Sequence, residues 1–297
     1  MRPDTHRAII EDYYRAMGAD DFDHVVSLHD PDVVCWMSGR SLVSGRFQGR
    51  TELYAHMGEH VLGPLVGGEP YVKGSRIAIV DGDITVGLLH GGLPARDGGR
   101  YDQFYLQIFG FENGLIREIV EMFDTVMVET QLMKNALATP RLRPAEPFDL
   151  DAPPIASSLE RSEVIALAQD FAGALSARGV TAALLSETVD IRVIGSTPLS
   201  GRTGDPTLLG KLFSHGLADI RVVAADAHAA VLLARAGDPD YAQQYGILIE
   251  PDGDRIGCVS VFLDTAEAEA QEFDNPVLPA PSRSIMPPFD IRQAFSS

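Results

Sequence analysis

Basic side chains are scarce in this chain of 297 residues: 24 Lys and Arg stand against 42 Asp and Glu, a formal net charge of −18. Phosphate backbones and anionic lipid select basic surfaces, so nucleic acid and membrane are excluded as expected partners. Cysteine is nearly absent. Cys35 and Cys258 are the only two, too few for a disulfide framework and in keeping with a reducing cytoplasm. No run approaches the roughly 20 apolar residues that cross a bilayer. The opening Met1–His6 leads into an amphipathic pattern rather than an apolar signal core, so a cytoplasmic location is expected. Also missing are a phosphate loop, a dinucleotide glycine fingerprint and a Gly-x-Ser-x-Gly elbow, and no cofactor is expected. What is present is a 45% hydrophobic, 22% charged composition, that of a globular protein with length for two domains of roughly 150 residues.

Those two domains are copies of one another. Val33–Arg46 (VVCWMSGRSLVSGR) lies over Val189–Arg202 (VDIRVIGSTPLSGR) at a constant offset of 156. Tyr101–Thr125 lies over Tyr241–Thr265 without a gap at an offset of 140, keeping Tyr-x-Gln-x-Tyr and the closing Asp-Thr. Pro147-Phe148-Asp149-Leu150 recurs as Pro288-Phe289-Asp290-Ile291. Internal repetition settles architecture before any local pattern does. The expected domains are residues 1–138 and 161–275, with Pro-rich arms at 139–160 and 276–297; ten of the 19 prolines fall in Pro140–Pro154 and Pro276–Pro288.

Ile9, Ile10, Tyr13 and Met17 recur at helical spacing near the start of the first copy. A second helix is expected over Asp21–His29, an extended run over Val33–Met37, a Ser-Gly-Arg turn, and a third helix over Thr51–Val61. Strands follow at Lys73–Val80, Asp83–His90 and Tyr101–Phe111. Asn113-Gly114 then turns a hairpin into Leu115–Phe123, because Asn-Gly accepts the positive φ of such turns. Asp124–Leu137 reads as a closing helix. Helices first and a curved, mostly antiparallel sheet after them make each copy α+β.

An Asp-Asp-Phe-Asp helix, a strand leading to Ser-Gly-Arg, Tyr-x-Gln-x-Tyr and a Gly-x-Ile hairpin closing on Phe-Asp-Thr resemble the nuclear transport factor 2-like superfamily. Within it, the first copy is most similar to SnoaL-like and ketosteroid-isomerase-like proteins. The resemblance implies two tandem cone-shaped α+β barrels, each enclosing a pocket between helices and sheet. It leaves the activity open, since one fold carries many functions. Tyr13 matches the first-helix tyrosine of the ketosteroid isomerases. Met37 stands where their catalytic base is expected and Gln107 where their second acid is, so steroid isomerase chemistry is rejected. The strand Ile84–His90 holds no Arg-x-Asp pair of the limonene epoxide hydrolase kind. His90 matches a strand-end histidine of the SnoaL-like cyclases, and Glu121 matches a last-strand glutamate of phenazine-pathway members.

Comparing the copies separates pocket from core. Ile119, Glu121 and Phe123 share one strand face, and their counterparts are Val259, Val261 and Leu263. Glu121 therefore occupies a position where the sister copy keeps a valine. A carboxyl in such surroundings has a raised pKa, as a general acid or base near neutral pH requires. By the same reading Val86, Leu88 and His90 face inward, as do Tyr101, Gln103, Tyr105, Gln107 and Phe109; Cys35 and Met37 are wall residues. Tyr13 becomes Phe171 and Gln107 becomes Ile247 in the second copy. The expected catalytic set is Glu121 and His90 with Tyr13 as oxyanion donor. The expected substrate-binding set is Gln107, Tyr105, Gln103, Tyr101, Met37, Cys35 and Phe109. The reaction would be a cofactor-independent proton transfer on a small, mostly apolar, aromatic or polycyclic molecule, ending in elimination, isomerisation or ring closure. A non-catalytic ligand-binding or scaffolding protein is the alternative. The second copy would serve as an intramolecular partner, with further homo-oligomerisation left open. A site shared through Arg235 or Asp190 is a third option. No metal is expected: His56-Met57-Gly58-Glu59-His60 fits a zinc-protease pattern, but without that family's structural context.

Overall fold

The computed structural model describes residues 3–141, 150–151, 155, 157–177, 182–238, 240–279 and 286–295, so most of Pro140–Pro154 lies outside the described residues. Helix α1 (Pro3–Gly18) buries Ile10, Tyr13, Tyr14 and Met17. In α2 (Phe22–Ser27), the Asp21 carboxylate caps the first turn by accepting from the His24 N–H at 3.2 Å, which satisfies one orphan donor. Strand β1 (His29–Met37) starts earlier than the apolar run suggests. Next come β2 (Gly45–Gln48) and α3 (Arg50–Met57), which a π turn extends over Gly58–Leu62. The expected Ser-Gly-Arg turn is instead the entry to β2: Gly45, at φ 120, lets the chain pair back on Met37. Strands β3 (Val72–Asp81), β4 (Ile84–Pro94), β5 (Arg100–Glu112) and β6 (Leu115–Met122) complete a sheet ordered β2-β1-β6-β5-β4-β3. Within it, β1–β6 is the parallel pair and the rest are antiparallel. Asn113 (φ 53) and Gly114 (φ 81) make the β5–β6 turn.

The closing helix is shorter than expected. Helix α4 spans Thr125–Met127 and continues as a π turn over Val128–Leu132. It stops there because Asn135 doubles back on Glu129, its backbone N–H on the Glu129 carbonyl (2.9 Å) and its amide on the carboxylate (2.7 Å). Ala136–Leu137 (β7) then adds a short strand.

The second copy repeats the plan with α5 (Arg161–Ser176), β8 (Leu185–Val193), β9 (Gly201–Thr203), α6 (Thr207–Leu212), β10 (Leu217–Ala225), β11 (Ala230–Ala236), β12 (Gln244–Asp252) and β13 (Arg255–Leu263). Its sheet runs β10-β11-β12-β13-β8-β9, the same order as the first, again with one parallel pair. Helix α7 (Thr265–Glu272) and β14 (Val277–Leu278) close it, β14 pairing with β7 across the domains. The chain is thus two tandem α+β domains. Among the described residues no helix is long and apolar enough to cross a membrane.

The outer faces of the two sheets pack on each other. Trp36, Leu88, Leu106 and Met122 from the first sheet meet Val231, Leu233, Leu248 and Phe262 from the second in one buried cluster. At Gly246 a Cβ would come within 2.6 Å of Met122 Sδ and 2.7 Å of Leu106, so the close approach requires glycine there. The C-terminal arm adds Phe289, Ile291 and Ala294 to the same cluster. Where β6 and β13 end, the paired Asp-Thr motifs exchange hydrogen bonds. Thr125 Oγ1 donates to Asp264 (2.5 Å), Thr265 Oγ1 donates to Asp124, and each threonine also accepts from the partner motif's backbone, from Ala266 and Val126 N–H, both at 2.9 Å. The repeat in the sequence has become an approximate two-fold in the molecule.

Candidate active site

A cavity of about 130 Å³ lies between α1, α2, α3 and the inner face of the first sheet. Its wall is mainly apolar and aromatic, and among the described residues no lysine or arginine lines it. Glu121 on β6 projects into it beside Met37, which pairs with it in the β1–β6 register. Glu121 is half-buried, and it lines this cavity with protein packed densely around it. Its carboxyl is consequently pushed above the ordinary glutamate value, first by desolvation, with the hydrogen bond from Gln107 acting in the opposite sense.

That hydrogen bond is the last link of a short chain. The buried Tyr14 hydroxyl donates to Gln107 Oε1 (2.8 Å), and Gln107 Nε2 donates to Glu121 Oε1 (2.6 Å). With its oxygen already occupied, the Gln107 amide has only its nitrogen to offer, so Tyr14 dictates which end meets the carboxylate. Gly87 lies opposite Gln107 on β4, and a Cβ there would sit 2.1 Å from the Tyr14 hydroxyl. The other Glu121 oxygen has no hydrogen-bond partner among the described residues, and neither does the Tyr13 hydroxyl. Both groups line the cavity. Burial raises the Tyr13 pKa well above that of free tyrosine, and nearby ionisable groups, Tyr54 and Glu121 among them, raise it further, so Tyr13 is a hydroxyl donor at all ordinary pH. Three more tyrosines form a second chain on the same wall: Tyr71 and Tyr105 hydroxyls are 2.7 Å apart, and Tyr105 donates to Tyr101 at 3.1 Å.

A desolvated carboxyl has a signature in stability. Its raised pKa in the folded state means that stability falls as pH climbs from the ordinary glutamate value, 4.5, toward the folded one. Glu121→Gln is therefore expected to be more stable than the wild type at pH 7, the gap closing as pH drops to about 4.5. Urea denaturation across that range checks it, and equal midpoints at pH 7 would contradict the reading.

Of the expected site residues, Glu121, Tyr13, Gln107, Tyr105, Tyr101 and Met37 all line the cavity. His90 does not. In the β4–β5 register Leu89 lies opposite Tyr105 and faces the cavity, while His90 lies opposite Phe104 and stacks on it at 4.3 Å, on the face turned to the second domain. Both faces of β4 are apolar because both are buried, so alternation alone offers no means of telling inside from outside. Val86 and Leu88 change sides with it. Gln103 is architectural: its amide donates to the Asp124 carbonyl (2.9 Å) and its oxygen accepts from the Asp124 N–H (3.0 Å). Gln243 does the same for Asp264. Cys35 and Phe109 point inward but lie in the packed core behind the cavity wall. Arg235 pairs with Asp219, and Asp190 with Arg192 and Arg202, all within the second domain, so neither reaches this cavity. His56 Nε2 donates to the Leu42 carbonyl (2.9 Å) with the His60 ring 4.4 Å away, and no group of three or more candidate ligands gathers among the described residues.

The cavity also holds a residue that nothing in the sequence singles out. His29, at the first position of β1, is fully buried and lines the wall near Tyr54 of α3. Desolvation lowers its pKa to about 4, so it stays neutral.

Residues 10–119 match the family of SnoaL-like domains. The first domain is SnoaL-like. The match stops two residues short of Glu121. Solved structures similar to the chain include Bal32a from a soil-derived mobile gene cassette, at 23% identity and a TM-score of 0.35, covering 40% of this chain and 89% of that one. A nuclear transport factor 2-like protein from Burkholderia xenovorans is 15% identical with a TM-score of 0.37, over 44% of this chain and 98% of its own. No curated protein matches in sequence.

Proposed function

We propose that the SnoaL-like domain is a general acid–base catalyst acting on a small, mostly apolar ring-containing substrate. Glu121 takes a proton from carbon, and Tyr13 donates a hydrogen bond to the oxygen on which charge develops. Elimination, isomerisation and ring closure all begin this way, and every group needed belongs to the chain. The observation that carries the reading is the Glu121 carboxyl itself. One oxygen is held by Gln107, the other is free to the cavity, and no cation among the described lining residues compensates it. Desolvated acids with no cation beside them are rare because they destabilise, and sites that tolerate them use them. His90 drops out of the proposal because it faces the other domain.

A ring opening that needs only a base tests this without knowledge of the natural substrate. In 5-nitrobenzisoxazole, removal of the carbon-bound proton breaks the N–O bond and releases a coloured cyanophenolate. The full chain is expected to accelerate this reaction beyond acetate at equal concentration, with a rate that rises with pH through an inflection above 4.5. A rate no greater than that of acetate, while the probe binds, would favour the non-catalytic ligand-binding alternative.

A further inference from the structure

We propose that the wall formed by His29 and Tyr54 is a hydroxyl-recognition subsite, and that the ligand of this cavity is an uncharged single ring bearing a hydroxyl group. This rests on the reading of the cavity as the substrate site and names the class of substrate. His29 Nδ1 lies 2.8 Å from the Val25 carbonyl, which can only accept, so Nδ1 carries the imidazole proton and Nε2 is left as an acceptor. The Tyr54 hydroxyl stands 3.2 Å from Nδ1 and 3.5 Å from Nε2. Nδ1 is already committed, and 3.5 Å is long for a hydrogen bond. His29 is fully buried, so its Nε2 is within reach of the Tyr54 hydroxyl and not of a ligand, and the Tyr54 oxygen is the acceptor presented at the cavity wall. A ligand O–H donates to the Tyr54 oxygen while Tyr54 turns its own proton to Nε2.

Charge and size narrow the ligand further. Among the described lining residues Glu121 is the one acid, the tyrosines are neutral, and His29 is neutral, so a carboxylate or phosphate would meet a negative charge with no cation to offset it. A cavity of roughly 150 Å³ accepts one benzene ring, and about 130 Å³ is room of that order.

Isothermal titration of the full chain with phenol, toluene and benzoate at pH 7 tests the proposal. Toluene is the more hydrophobic of the first two, so an indiscriminate apolar cavity binds it at least as tightly as phenol. The expected order is phenol about tenfold tighter than toluene, since a site built around a hydroxyl rejects the analogue lacking it, with benzoate weaker than phenol by at least as much. His29→Leu is expected to bring phenol and toluene to near parity while toluene affinity holds; Tyr54→Phe, which removes one oxygen and is less disruptive to folding, is expected to shrink the preference several-fold. Toluene binding as well as phenol, benzoate binding as well as phenol, or an undiminished preference in Tyr54→Phe would each overturn it. The benzisoxazole assay on the same samples keeps the two readings apart. Proton transfer without hydroxyl selectivity defeats only this inference, and hydroxyl selectivity without proton transfer defeats only the catalytic one.

Discussion

Glu121→Gln is expected to lower kcat/KM for 5-nitrobenzisoxazole opening by about 10²–10⁴-fold, the usual contribution of a positioned general base. Glutamine keeps the volume and can still accept from Gln107, so the cavity and its affinity survive while the proton acceptor is lost. The magnitude comes from the placement of the carboxylate. In water a carboxylate is a weak base sheathed in hydrogen bonds, whereas among the described residues Glu121 has one protein hydrogen bond, from Gln107, and is otherwise desolvated, which raises its basicity. Gln107→Leu refines the test. It removes the hydrogen bond that stabilises the charged carboxylate, so the inflection of the pH–rate profile is expected to move up, reducing the rate at low pH more than at high pH. Tyr14→Phe frees the Gln107 amide to rotate and is expected to act in the same direction more weakly, as a positioning residue does. A Glu121→Gln variant with more than a tenth of wild-type activity would remove Glu121 from the mechanism.

Much of this molecule is legible in the sequence, for reasons that particular residues make plain. The repeat is visible because both copies need the same Asp-Thr exchange and the same glycine at the domain contact: Gly39 would place a Cβ 2.6 Å from Thr125, and Gly195 one 2.3 Å from Thr265. The inward face of β6 is readable because a glutamate breaks an otherwise apolar face whose sister copy is apolar throughout, and a carboxyl kept at such a cost points to a cavity. His90 reads as inward because the outer sheet face is as buried as the inner one, and period-two alternation carries information only when one face is wet. Gln103 carries its own warning. It recurs as Gln243 in the copy whose pocket residues are replaced, and a polar group retained where the pocket is not serves the fold. His29 leaves no signal of its own, since a lone histidine at a helix–strand junction acquires a role only from the carbonyl and tyrosine that the fold brings to it.

Asp124→Ala is expected to cost about 3–5 kcal/mol of stability, read as a shift in the urea midpoint at pH 7. Asp124 is fully buried and satisfies four donors at once. It caps α4 by accepting from Val126 (3.1 Å) and Met127 (3.4 Å) N–H, and it accepts from Thr265 Oγ1 and from Ser196 Oγ (2.5 Å) in the second domain. Losing a cap costs about 1 kcal/mol, and each buried hydroxyl left without an acceptor adds roughly 1–3. Asp264→Ala removes the acceptor for Thr125 Oγ1 and the Glu267 N–H, and a smaller loss is expected because fewer donors are orphaned. The two motifs share partners through Thr125 and Thr265, so the double variant is expected to fall short of the sum of the single losses by about 1 kcal/mol or more. Strict additivity would mean that each aspartate merely caps its own helix. Sub-additivity would show the Asp-Thr exchange acting as one latch, which holds the outer faces of the two sheets together and so fixes the strand from which Glu121 enters the cavity.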